Sequence, residues 1–250
     1  MLPLALFFAA IIGLALGMLG GGGSILTVPV LVYVLHIEPK LAIAMSLPIV
    51  GFTSAFGAWR HARIGNVQLR RAFLFGGIAM TGAYAGGRVA RYIDPRVQLA
   101  ILGAMMAGAA VSMLRSAARH RDDAPVPHET SPFLYLVGLG VGLLTGLVGV
   151  GGGFLIVPAL VVFGSVPIKQ AVGTSLAVIA MNCAAGFAGQ SGEEHVRWGF
   201  VAAFTVVTTA GLLAGTAIVP YVRQVTLKRG FAVLLLIISA LVLWNNRSLL

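Results

Sequence analysis

The charged residues of this chain are confined to a few narrow zones. Residues 1–35 contain no Asp, Glu, Lys or Arg, and neither do 41–58, 72–87, 97–114, 132–168, 171–192, 198–222 or 230–246. Those eight stretches are 35, 18, 16, 18, 37, 22, 25 and 17 residues long. A hydrocarbon core about 30 Å thick is crossed by about 20 apolar residues of helix. The stretch 72–87 is short, and it lengthens if Arg71 and Arg88 snorkel toward the headgroups. Long unbroken apolar runs predict helices, which satisfy their own backbone in lipid. The expected fold class is all-α: a polytopic membrane protein with about eight hydrophobic segments.

Composition agrees with that pattern. Of 250 residues, 58% are hydrophobic and 10% charged, whereas soluble domains carry about 25% charged residues. So few polar groups cannot cover a water-facing surface, which excludes a cytosolic enzyme, a secreted module and a disordered chain. A single Cys excludes an internal disulfide framework and a Cys-cluster metal site. The net charge of +10 belongs to loops beside anionic headgroups and calls for no nucleic acid. The N-terminus, Met-Leu-Pro-Leu, has no positive n-region, so residues 1–35 are expected to be a retained segment and not a signal peptide.

The chain reads as one unit written twice. Between residues 13 and 32, eleven of twenty positions are identical to the residue 129 further on. Gly20/Gly149, Gly22/Gly151, Gly23/Gly152 and Pro29/Pro158 are among them, and Ser46/Ser175, Gly57/Gly186, Gly82/Gly211 and Gly86/Gly215 continue the register. The expected domains are a first membrane repeat over 1–114, a polar linker over 115–131 and a second membrane repeat over 132–250. Each repeat holds one long segment and three ordinary ones, an organisation common among secondary transporters.

The long first segment of each repeat is expected to break. Thirty-five helical residues would run about 50 Å, too long for one straight crossing. Its middle is Gly20, Gly21, Gly22, Gly23, Ser24 in one repeat and Gly149, Val150, Gly151, Gly152, Gly153 in the other. Each Gly costs about 1 kcal/mol against Ala within a helix. A half-helix starting inside the membrane leaves its first N–H groups unpaired and points a partial positive charge at the gap. An anion satisfies both, and Gly lets the backbone approach it closely. The four-residue spacings Gly13/Gly17, Gly142/Gly146, Gly82/Gly86 and Gly211/Gly215 are instead expected to serve helix packing.

The second segments carry polar groups in matching register. Ser46 and Thr53 are seven apart, as are Ser175 and Asn182, so each pair shares a helix face. Thr174 has no hydroxyl counterpart, because Met45 stands at its equivalent. Together with the two glycine motifs, Ser46, Thr53, Thr174, Ser175 and Asn182 are the candidate substrate-binding residues, with Thr27 a weaker one. No intramembrane carboxylate is present to carry a proton or cation. Arg60, His61, Arg63, Arg70 and Arg71 are expected to face headgroups, and Glu193, Glu194, His195 and Arg197 to be solvated. Zincin, nucleophile-elbow and P-loop signatures are absent. No enzymatic activity, cofactor or metal is therefore expected. A small anion and the lipid bilayer are the expected partners, with a homo-oligomer allowed.

Two topologies fit the pattern. If each long segment crosses once, there are eight spans and parallel halves; if each turns back on itself, the halves are inverted. The runs GMLGGGGSILTVP at 17–29 and GLVGVGGGFLIVP at 146–158, with AVGTSL at 171–176 and HARIGNV at 61–67, resemble the TauE/SafE sulfite exporter family over nearly the whole chain. Met45 departs from that family's pattern, where Thr stands. The resemblance implies a small-anion transporter of the cytoplasmic membrane, handling sulfite, sulfonates or related sulfur oxyanions. An anion channel and a non-transporting membrane scaffold are the competing classes.

Overall fold

The apolar runs fold as helices wherever the chain is described. The computed structural model describes residues 2–118, 133–162, 166–190, 196–218 and 224–245, and all regular elements among them are helical. They are α1 (Leu2–Leu19), α2 (Gly22–Val34), α3 (Pro39–Arg63), α4 (Leu69–Ala90), α5 (Pro95–Ala118), α6 (Phe133–Val148), α7 (Gly153–Val162), α8 (Ile168–Gln190), α9 (Trp198–Ile218) and α10 (Gln224–Asn245). Helix α2 changes pitch along its length, from a 3-10 turn over Gly22–Leu26 to a π turn over Val30–Val34. Residues 115–118 of the expected linker continue α5; the rest of it, and Glu193, Glu194 and His195, lie outside the described residues.

Among the described residues, four helices are long and apolar enough to cross a membrane: Pro39–Arg63, Pro95–Arg115, Gln170–Gln190 and Trp198–Ile218. Shorter apolar helices occupy Pro3–Leu19, Gly22–Val34, Tyr135–Val148 and Arg229–Asn245. Large apolar side chains such as Phe7, Phe52, Phe73, Val206 and Trp244 are exposed, as expected of a surface that meets acyl chains and not water. At the end of α3 the Arg63 guanidinium lies over the Trp59 ring, 4.0 Å from its centre. A stacked Arg and Trp suit the headgroup boundary.

The regularly spaced glycines seam helices together. In lipid there is no hydrophobic force between helices, so close backbone approach through small residues takes its place. A Cβ at Gly13 or Gly17 would run into the main-chain carbonyls of Thr208 and Leu212 on α9, and one at Gly215 into Leu14 on α1. The same geometry recurs between α4 and α6. Added Cβ atoms at Gly82 and Gly86 meet the carbonyls of Leu139 and Leu143, and those at Gly142 and Gly146 meet Ala79 and Ala83. Thus α1 packs on α9 and α6 on α4, each seam joining one half of the chain to the other.

Helices α3 and α8 form the central pair, and they run antiparallel. Leu47 packs by Gly186, Gly51 by Cys183 and Gly57 by Leu176, so one number falls as the other rises. The 129-residue offset carries α3 onto α8. The two helices therefore cross close to Thr53 and Asn182, and both of these side chains are fully buried.

Two outcomes follow. In a Cys183→Ala background, cysteines at Glu38 and Arg197 should react with a membrane-impermeant maleimide from one face of the membrane, and a cysteine at Ile64 from the other; parallel halves would place Arg197 with Ile64. In thermal melts in detergent, Gly142→Val should lower stability by at least about 1–3 kcal/mol through overpacking. Gly77→Ala should not, since an added Cβ at Gly77 meets open space.

Candidate functional site

Both glycine motifs interrupt their helices, and in both the chain doubles back. Helix α1 ends at Leu19, and Gly20 and Gly21 take left-handed φ of 61° and 101°. Helix α6 ends at Val148, and Gly149, Gly151 and Gly152 take φ of 76°, 73° and 66°. An L side chain in that region costs about 1–2 kcal/mol, which is why these positions need glycine. Eleven residues of continuous helix would span about 16 Å. A Cβ at Gly23 would instead sit 2.8 Å from the Ile12 carbonyl oxygen, and one at Gly152 3.1 Å from a Val141 methyl. Each first segment is therefore a re-entrant pair, α1–α2 and α6–α7. Of the two topologies open to the sequence, these turns match the folded-back one.

The breaks are buried and touch each other. Residues 20–24 and 149–153 are all buried. A Cβ on Gly153 would lie 2.6 Å from the Gly21 Cα and carbonyl oxygen, and one on Gly21 2.9 Å from the Gly153 Cα. Neither contact leaves room for a methyl group. Ile179 of α8 closes the junction, because its Cδ1 would meet added Cβ atoms at both Gly21 and Gly153. Val50 of α3 stands beside Gly151, and Val172 of α8 beside Gly20.

Local hydrogen bonds shape each turn. The Ser24 N–H and hydroxyl both donate to the Gly21 carbonyl, at 3.3 and 2.7 Å. The Leu155 and Ile156 N–H groups donate to Gly152, at 3.0 and 3.1 Å. Thr145 donates its hydroxyl to Val141 at 2.8 Å, and its oxygen occupies the place a side chain on Gly152 would need.

Ser46 and Ser175 tie the breaks across the molecule. Ser46 on α3 directs its hydroxyl proton at the Ile43 carbonyl (2.7 Å) and the Gly149 carbonyl (2.5 Å). Ser175 on α8 directs its own at Val172 (2.8 Å) and Gly20 (3.3 Å). Each serine thus caps a carbonyl orphaned where a half-helix of the other half ends. Gln190 of α8 donates its amide to the Gly146 carbonyl of α6 at 2.8 Å, a bond within the second half.

Thr53 and Asn182 stand differently. Both are fully buried, and neither the Thr53 hydroxyl nor either polar atom of the Asn182 amide has a hydrogen-bond partner. The hydroxyls of Thr27 and Ser54 share that condition. A buried polar group left unpaired costs about 1–3 kcal/mol, so each of these four side chains stands in want of a partner. Val50 and Ile179, which touch the breaks, lie one helical turn before Thr53 and Asn182.

Thr174 faces elsewhere. Its hydroxyl oxygen accepts the Gln68 N–H at 3.0 Å, and Gln68 donates its side-chain amide to Gln170. These bonds seat the α3–α4 connection on α8, where a Cβ at Gly173 would lie 2.8 Å from that of His61. Arg60, Arg63 and Arg70 are exposed nearby. Sequence reasoning passed over Ser54, whose counterpart at the 129 offset is Cys183, and Gln190, which no motif singles out.

An all-helical, multi-pass membrane protein whose two re-entrant turns meet at its centre has the build of a membrane transporter. The chain belongs to the sulfite exporter TauE/SafE family, whose model matches residues 5–242. A Xylella fastidiosa protein named "Probable membrane transporter protein" is 32% identical over 245 residues, covering 94% of this chain and 92% of its own length. A Bacillus subtilis protein, "Probable membrane transporter protein YdhB", is 28% identical over 221 residues, 87% of this chain and 90% of its own. A relative of the same description from Methanocaldococcus jannaschii is 30% identical over 194 residues, 74% and 71% respectively. No solved structure matches this chain.

Removing the cross-caps should weaken the junction unequally. Ser46→Ala should cost about 1–2 kcal/mol, Ser175→Ala, with its longer bond, less, and the double variant at least their sum, as read from thermal unfolding of the purified protein.

Proposed function

We propose that the chain is a secondary transporter that exports small sulfur-containing or organic anions, such as sulfite or sulfonates, across the cytoplasmic membrane. It is built as two inverted four-segment repeats, 1–114 and 132–250, joined by a polar linker over 115–131 whose first residues, 115–118, continue α5. The observation that carries this reading is the meeting of two helix breaks beside buried, unpartnered polar side chains. Thr53 and Asn182 sit at equivalent positions of the two central helices, fully buried and without partners. The glycine turns add main-chain N–H groups at Gly21, Gly22, Gly23 and Gly151, Gly152, Gly153, which bind oxyanions where a half-helix begins, whereas the N–H groups of Gly20 and Gly149 donate to Leu16 and Thr145 and close the preceding helices.

In the mechanism this suggests, the contact between Gly21 and Gly153 is the closed state. An entering anion separates the breaks and takes hydrogen bonds from the Thr53 hydroxyl and the Asn182 amide. Ser46 and Ser175, released from the break carbonyls, turn their hydroxyl protons to it, and Ser24 does the same from the first turn. Thr174 holds the connection between α3 and α4 in place while this happens. One repeat then rocks against the other and exposes the anion to the far side. The antiparallel course of α3 and α8 supports that motion, because inverted halves can exchange conformations between inward and outward states.

The test is flux in proteoliposomes. Wild-type protein should show saturable, exchangeable uptake of radiolabelled sulfite. Gly153→Ala and Asn182→Leu should each lower it at least about tenfold while the protein still inserts and elutes as a single species. Undiminished flux in a well-inserted Gly153→Ala variant would sink the proposal. Single-channel conductance without counterflow would replace the carrier with a pore.

A further inference from the structure

The spans that form the breaks and the helix crossing beside them offer hydrogen bonds and no charge; α10, whose Phe231 packs by Gly22, carries Arg229, which is exposed. Residues 1–35, 41–58, 132–168 and 171–192, which hold α1, α2, α6, α7 and the crossing region of α3 and α8, contain no Asp, Glu, Lys, Arg or His. The unpartnered polar groups these spans carry are neutral: the hydroxyls of Thr27, Thr53 and Ser54 and the amide of Asn182, beside the glycine backbone of the two turns. All four side chains are fully buried, so water screens little there.

Charge state then decides what can enter. The cost of taking an ion out of water rises with the square of its charge, so a dianion costs about four times as much as a monoanion of the same size. The attraction of fixed neutral dipoles rises only in proportion to charge. A buried Arg or Lys would offset the difference, and none stands in these spans.

We infer that the site accepts oxyanions carrying one negative charge and rejects dianions of the same shape. The inference rests on the proposed anion site and adds its selection rule. Sulfonates with no second ionised group qualify at any ordinary pH. Sulfite qualifies only as hydrogen sulfite, so each sulfite that crosses takes one proton with it, and no protein carboxylate is needed as a carrier. Sulfate, a dianion with the same tetrahedral outline as methanesulfonate, is excluded by charge alone.

Calorimetric titration of the wild-type protein in detergent with methanesulfonate, sulfate and sulfite tests this directly. Each anion is titrated at one pH below and one above the second ionisation of sulfite. Methanesulfonate should bind equally at both. Sulfite should weaken at the higher pH in proportion to the hydrogen sulfite remaining. Sulfate should bind at least about a hundredfold more weakly than methanesulfonate. Asn182→Leu and Thr53→Val should each lose at least about tenfold in methanesulfonate affinity, and the wild-type comparison stands whether or not these variants fold. Sulfate binding as tightly as methanesulfonate, or sulfite affinity that holds or rises with pH, would overturn charge selection and leave the anion site intact. Failure of all three anions to bind would bring down the anion site, and the selection rule with it.

Discussion

Two carbonyl groups with no partner of their own fix the centre of this protein. A helix that stops inside a membrane leaves its last carbonyls unpaired, and lipid cannot satisfy them. Here the end of α1 at Gly20 is met by Ser175 of α8, and the end of α6 at Gly149 by Ser46 of α3. Each half of the chain supplies the cap that the other half lacks. The breaks therefore exist as a pair, and the approach of Gly21 to Gly153 follows from the helices on which the caps are mounted.

Around that centre, two kinds of packing divide the labour. Glycine seams between α1 and α9 and between α4 and α6 bring backbones into contact over several turns and leave little freedom to slide. The crossing of α3 and α8 is less complete, because it buries hydroxyl and amide groups that have nothing to bond. Proteins meet their local rules nearly everywhere and breach them where function requires it. Three of the four buried side chains in want of a partner, Thr53, Ser54 and Asn182, fall on the two helices that also carry the serine caps, and the fourth, Thr27, lies on α2.

Much of this was legible in the residues. The narrow charged zones announced helices in a membrane, and the clustered glycines announced where two of them stop, since no other composition penalises a helix so heavily over so few residues. The four-residue glycine spacings gave the seams but not their partners: Gly13 and Gly17 carry nothing that says α9 and not a nearer helix. The direction of the chain after each break was hidden too, because an apolar half-helix has the same pattern whether it continues or turns back. Ser46 and Ser175 stood out by their matching register, yet the target of a hydroxyl depends on which carbonyl the fold brings near. Ser54 went unnoticed because its counterpart, Cys183, is apolar.

The seams also bear on how the molecule is made. Helix α1 is synthesised well before α9, the surface it packs against. Helix α4 likewise waits for α6. The early helices must therefore dwell in the bilayer as separate rods, their glycine faces turned to lipid or to an insertion chaperone, until the second half arrives and the two interlock. A fragment cut between the halves keeps every apolar segment it needs to enter the membrane and loses the glycine seams that would clasp those segments together.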